Sequence, residues 1–90
     1  MKKTIISVIG EDQVGIIAKA SAICSKYDVN ILDISQSIMQ ELFVMVMMTD
    51  IEKITCPISE FRKEMEKLGK ETGLDIRVMH ADVFNSMHQI

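Results

Sequence analysis

Residues 5–17 constrain the fold more than any other stretch. Ile5-Ile6-Ser7-Val8-Ile9 is apolar and rich in β-branched side chains, and the run ends at Gly10. A short acidic loop follows, Glu11-Asp12-Gln13-Val14, and from Gly15 the apolar spacing becomes that of a helix. A strand that turns tightly into a helix leaves the first backbone N–H groups of that helix facing outward at the positive end of its dipole. Such a corner suits an anionic group, a carboxylate or a phosphate. Gly10 can take backbone angles closed to other residues, and Gly15 lets backbone or ligand come close. Asp12 or Gln13 is the predicted N-cap, Asp being the better capper.

The rest of the chain is read outward from this corner. Residues 4–9 are apolar on both faces except at Thr4 and Ser7, the pattern of a strand in the middle of a sheet. From Ile16, the residues Ile17, Ala20, Ile23, Cys24 and Tyr27 follow at spacings of 1, 4, 7, 8 and 11, which trace one helical face. Asp28-Val29-Asn30 turns the chain into a strand over residues 31–40. Leu32, Ile34 and Ile38 are assigned to its inner face, and Asp33, Ser35, Ser37 and Met39 to a wet one. Gln40-Glu41 is the predicted hairpin turn, although neither is a favoured turn former. Residues 42–49 form a third strand, again apolar on both faces. Pro57, suited to a first helical turn, opens a helix to residue 72 with Ile58, Phe61, Met65 and Leu68 on its core face and Gly73 as its stop. Leu74, Ile76 and Val78 face inward from a last strand. Val83, Phe84, Met87 and Ile90 then return to a helical spacing with Asp82 available as cap.

Strand, helix, strand, strand, helix, strand, joined by right-handed crossovers, is the α+β, ferredoxin-like βαββαβ sandwich. Its four-stranded antiparallel sheet has the order 4-1-3-2, with two helices on one face and a short C-terminal helix. Residues 1–81 make the domain and residues 82–90 an extension that packs on it or on a second copy. The first and third strands become the central ones, matching their two apolar faces. Their outer sides then form an apolar patch that monomers rarely leave bare, so the chain is expected to form a homodimer or a higher homo-oligomer.

Ninety residues support one domain with a single core. A formal net charge of −3 argues against nucleic acid and anionic membrane as partners. Two cysteines without a CxxC pair indicate reduced, intracellular usage. Met1-Lys2-Lys3 with the first strand imitates a signal peptide, but the apolar run is too short, so the expected location is cytoplasmic. Cys24 reads as a core thiol, whereas Cys56, before Pro57 at a helix start, is placed where a thiol can become more acidic. His80 and His88 lack the spacing of a metal site; His80 reads as a strand-end hydrogen bonder.

Gly10-Glu11-Asp12-Gln13-Val14-Gly15-Ile16-Ile17, then Asp28-Val29-Asn30-Ile31 and the apolar third strand, resemble an ACT domain. The similarity is to small stand-alone ACT proteins and to the regulatory domains of the glycine cleavage system transcriptional repressor, and it covers nearly the whole chain. The resemblance implies a non-enzymatic regulatory module, without cofactor or metal, that binds a small ligand, usually an amino acid, where two domains meet. It implies a signal passed to a regulated protein in trans. By position the ligand would be held by Gly10, Asp12, Gln13, Val14, Gly15 and Ile16, with Asn30 and Ile31 reaching it from the partner. Many ACT domains carry Pro where this chain has Val14. Other uses of the fold fit less well. An acylphosphatase-like enzyme wants an Arg in the first loop, an RNA-binding sheet wants aromatics on the central strands, and a copper carrier wants CxxC. The alternative that stays open is an oligomerisation or protein-interaction module that takes no ligand.

Overall fold

The computed structural model describes residues 2–11 and 14–83. The order of elements is β1 Lys3–Glu11, α1 Ile16–Lys26, β2 Asn30–Met39, β3 Leu42–Asp50, α2 Ile58–Thr72 and β4 Asp75–His80. The four strands form one antiparallel sheet in the order β2-β3-β1-β4, the predicted 4-1-3-2 order read from the other edge. Residues 81–83 after β4 are helical. Phe84, Met87, His88 and Ile90, with the rest of the predicted C-terminal extension, lie outside the described residues.

Side-chain parity explains the layers. Thr4, Ile6 and Val8 of β1 pair with Thr49, Met47 and Met45 of β3, and Ile6 and Val8 pair on the other side with Val78 and Ile76 of β4. The apolar members of this set share one buried cluster with Ile16, Ala20 and Cys24 of α1 and Phe61, Met65 and Leu68 of α2. Both helices therefore cover the same face of the sheet. Burying each of the Ile, Val, Leu, Met and Phe side chains in this cluster contributes about 1.5–3 kcal/mol. The polar pair in this layer is satisfied, because the Thr49 hydroxyl donates to the Thr4 carbonyl at 2.8 Å. Ile5, Ile9, Leu42, Val44, Val46, Met48 and Met79 point to the opposite face.

Local chemistry fixes the ends. The Asp50 carboxylate accepts the backbone N–H groups of Lys2 and Glu52, both at 3.0 Å, which hold it charged below the ordinary carboxylate range. Gly73 closes α2 in a left-handed conformation at φ 72, as its position predicts. The hairpin falls at Gln40-Glu41, with Met39 opposite Leu42 and positive φ angles of 50 and 72 at the two turn residues. That is the backbone twist two-residue hairpins demand, supplied here without Asn or Gly. Between the helices, Glu64 accepts the Lys26 ammonium at 3.1 Å and the Tyr27 hydroxyl at 3.0 Å, while the Tyr27 ring meets Phe61 edge-on at 6.2 Å.

Three local expectations are corrected. First, β1 continues through Gly10 to Glu11, since Gly10 still pairs with Phe43. Second, the N-cap of α1 is Gly15 and not Asp12 or Gln13, because the helix starts only at Ile16. Third, the register of β2 shifts between Ile31 and Asp33. The extra residue, Leu32, reverses the parity, so Ile31 joins Ile34 against the core and Leu32 is exposed.

Candidate functional site

Gly10 and Gly15 bracket the corner for different reasons. At Gly10, with φ 155, an added Cβ would lie 2.5 Å from Leu74 Cδ2 and 3.4 Å from the Leu74 backbone. Absence of a side chain is what lets β1 pass against the junction of α2 and β4. Gly15, at φ 84, has nothing within 4 Å of the place a Cβ would take. Among the described residues, then, nothing fills the space beside the N-cap of α1 and no side chain caps it. Val14, next to it, is fully exposed at 101%. Ile16 turns the other way and is buried, anchoring the first turn of α1 in the core. A helix N-terminus uncapped by side chains and unobstructed is equipped to take an anionic group on its backbone N–H donors.

Asn30 and Ile31 lie elsewhere. Asn30 opens β2 opposite Asp50, which is also level with Lys3, whereas Gly10 is level with Phe43 and Ile38. Seven residues of β1 separate the two levels (Lys3 to Gly10), or about 24 Å at the rise of a strand. Gly10, near the end of β1, and Val14, Gly15 and Ile16, at the start of α1, flank one connection, whereas Asn30 and Ile31 lie at the far end of the sheet. Asp12 and Gln13 lie outside the described residues. The left-handed residue of the α1–β2 turn is Asp28, at φ 56, so Asn30 is not needed there for its tolerance of that conformation.

Each end carries a concavity. Asn30 lines one of about 320 Å³ with Ser25, Asp28, Val29 and Lys53. Another, of about 390 Å³, lies at the hairpin end between Gln36, Ser37, Ile38 and Phe43, level with Gly10. The sequence reading missed Ser25, Asp28 and Lys53 around Asn30. Asp28 was visible in the turn, but nothing in the sequence brings Lys53 across from the β3–α2 loop. It also missed Leu74 as the wall behind Gly10.

The other reactive side chains are less suited to chemistry. Burial pushes the Cys24 thiol up to about 11. Cys56 is half-buried, and desolvation, with the Glu60 carboxylate nearby, raises its pKa as well. Its position at a helix start, where a thiol can become more acidic, is outweighed here by desolvation and the neighbouring carboxylate. The Asp82 N–H donates to His80 Nδ1 at 3.1 Å, the strand-end role predicted for that residue. Among the described residues no group of three or more His, Cys, Asp or Glu is placed to hold a metal ion. Among them, too, no helix is long and apolar enough to cross a membrane.

Comparison with known proteins agrees with this architecture. The family model described as the ACT domain matches residues 2–79. UPF0237 proteins of Pyrobaculum aerophilum and Methanocaldococcus jannaschii are 46% and 43% identical to the chain over 90 residues, all of each sequence. Among solved structures, an ACT domain protein from Streptococcus pneumoniae superposes with a TM-score of 0.78 at 31% identity, covering 92% of this chain and 93% of that one. A putative glycine cleavage system transcriptional repressor shares the fold, with a TM-score of 0.73 at 18% identity over 89% of this chain and 46% of the other. From β1 to the end of β4, this chain belongs to the ACT-domain family, whose members are regulatory modules.

Proposed function

We propose that this protein is a non-enzymatic sensor that binds a small ligand, an amino acid, at the seam between two copies of the chain. The observation that carries the reading is the N-terminus of α1 at Gly15, which no described side chain caps or crowds, between Gly10 and Val14. It offers backbone donors to a carboxylate, and Asn30 and Ile31 supply the second wall from the partner. Family membership supports a regulatory ligand site of this kind.

The separation of the two half-sites dictates the geometry of the pair. A two-fold axis that brings the Asn30 end of one chain beside the Gly10 end of another must cross the sheet midway between them. Midway is Val46–Met47 on β3, opposite Ser35 and Ile34 on β2. β2 is the bare edge suited to this. It is ten residues long, carries neither Lys nor Pro, and exposes Ile38. The opposite edge, β4, is six residues long and bears Asp75 and Arg77. Ligand at the seam would favour one arrangement of the pair, and through that preference alone could signal to a protein in trans in the cytoplasm.

A shared site has a specific test. Gly15→Asn keeps a residue tolerant of the left-handed conformation and fills the open space; Asn30→Ala removes the polar group of the other half. Calorimetric titration with each of the common amino acids should find one that binds the parent and neither variant. An equimolar mixture of the two variants, dissociated and reassociated, should regain roughly a quarter of the parental sites, since half the pairs carry one intact site of two. Absence of binding by any amino acid to the parent would favour the ligand-free interaction module. Binding that persists in the Asn30→Ala variant would break the shared-site geometry.

A further inference from the structure

The face of the sheet away from the helices is not uniform. Towards the end where β1 begins and β4 ends, Ile5 points to this face yet is 1% exposed and stands outside the helix-side core cluster. Towards the hairpin end the same face lies open. Ile9 is 40% exposed, Leu42 46% and Met39 62%. Cross-strand register makes these neighbours: Met39 is opposite Leu42, Leu42 opposite Glu11, and Ile9 opposite Val44 on one side and Asp75 on the other. An apolar patch therefore spans β2, β3 and β1, and its rim is acidic, with Glu11, Glu41 and Asp75 all exposed. Among the described residues, the cation beside this rim is Arg77, whose Nε already donates to Asp75 at 3.2 Å.

We infer that this half-face is a docking surface for a basic, amphipathic segment of another protein, apolar on one side and flanked by Lys or Arg. Charge selects the occupant. A second copy laid face to face would set the same three carboxylates against their own kind while desolvating them, and like-charge juxtaposition across an interface opposes binding. A basic segment meets the rim with opposite charge and the stripe with apolar side chains. From the strand used for the pairing proposed above, the surface takes only Met39, its last residue. It adjoins the ligand corner, because Ile9 and Glu11 flank Gly10 directly, so a docked segment lies within one residue of the strand that leads into the loop.

An unbiased peptide-display selection on the full-length chain tests this. The enriched sequences should combine apolar residues with net positive charge, and nuclear magnetic resonance shifts from an enriched synthetic peptide should centre on Ile9, Glu11, Met39, Leu42 and Asp75. Glu11→Lys/Glu41→Lys should weaken that peptide at least tenfold, and Leu42→Ser should do likewise without changing the fold seen in the same spectra. Affinity should fall as salt rises. Enrichment of acidic or neutral peptides, shifts centred on residues 30–37 of β2 or on the helices, or no enrichment over background would overturn the proposal. So would sedimentation showing that Leu42→Ser halves the mass of the assembly, which would give the face to a second copy. None of these outcomes depends on whether an amino acid binds the glycine corner, so the two proposals fail separately.

Discussion

Replacing Gly10 by alanine separates two reasons for a glycine that are usually confounded. A side chain at φ 155 carries backbone strain of roughly 1–3 kcal/mol. The new Cβ would also sit 2.5 Å from Leu74 Cδ2 and 3.4 Å from Leu74 Cα. The methyl end can swing aside and the Cα distance is ordinary contact, so the steric part lies at the low end of overpacking, about 1 kcal/mol. Together the substitution should destabilise by roughly 2–4 kcal/mol, which for a domain of this size lowers Tm by roughly 10–25 °C. Gly15 is the control, since an added Cβ there meets nothing and only φ 84 matters; Gly15→Ala should cost about 1 kcal/mol. Urea unfolding of Gly10→Ala, Leu74→Ala and the double variant completes a cycle. If Leu74 is the obstacle, the double variant should be about 1 kcal/mol more stable than the sum of the single costs implies. A Gly10→Ala variant as mild as Gly15→Ala, or a coupling within about 0.5 kcal/mol of zero, would refute the steric account.

Three further outcomes are expected. Gln40→Asn/Glu41→Gly relieves two positive-φ residues in the hairpin and should stabilise the chain by about 1 kcal/mol in urea unfolding. Hydrogen bonds from Lys26 and Tyr27 hold the Glu64 carboxyl below its ordinary range, so its contribution is present at neutral pH and is lost as pH falls through the lowered value. Stability measured from neutral to acid pH should therefore fall less in Glu64→Gln than in the parent. A thiol reagent at pH 8 should modify Cys56 in the folded chain and reach Cys24 only on unfolding, because Cys24 is buried with its thiol pushed up to about 11.

Most of the architecture was legible because pattern and topology point the same way. The two strands with apolar residues on both faces are the two central ones, and Phe61, Met65 and Leu68 bury the helical stripe their spacing draws. What escaped the sequence was whatever depends on one residue more or less. The bulge at Leu32 reverses the parity of a strand whose alternation is too regular to betray it, and so exchanges Leu32 for Ile31. At the corner, Asp12 has the better chemistry for a cap, but Gly15 has the conformation, and the helix begins after it. The site itself was half visible. The loop has a local signature, while the distance from Gly10 to Asn30 is a property of the sheet and becomes apparent only once β1, β3 and β2 are in register.

The contact behind Gly10 ties two parts of the molecule mechanically. At Gly10 the backbone of β1 rests directly on the Leu74 side chain, with the Leu74 and Gly73 backbone close behind it, at the junction of the second helix and the edge strand. An ångström of recoil in the corner must push on that junction, and the edge strand beyond it carries Asp75 and Arg77 on the outer surface. The thin spot in the wall is thus the place where a pull on the loop would be felt by the edge strand.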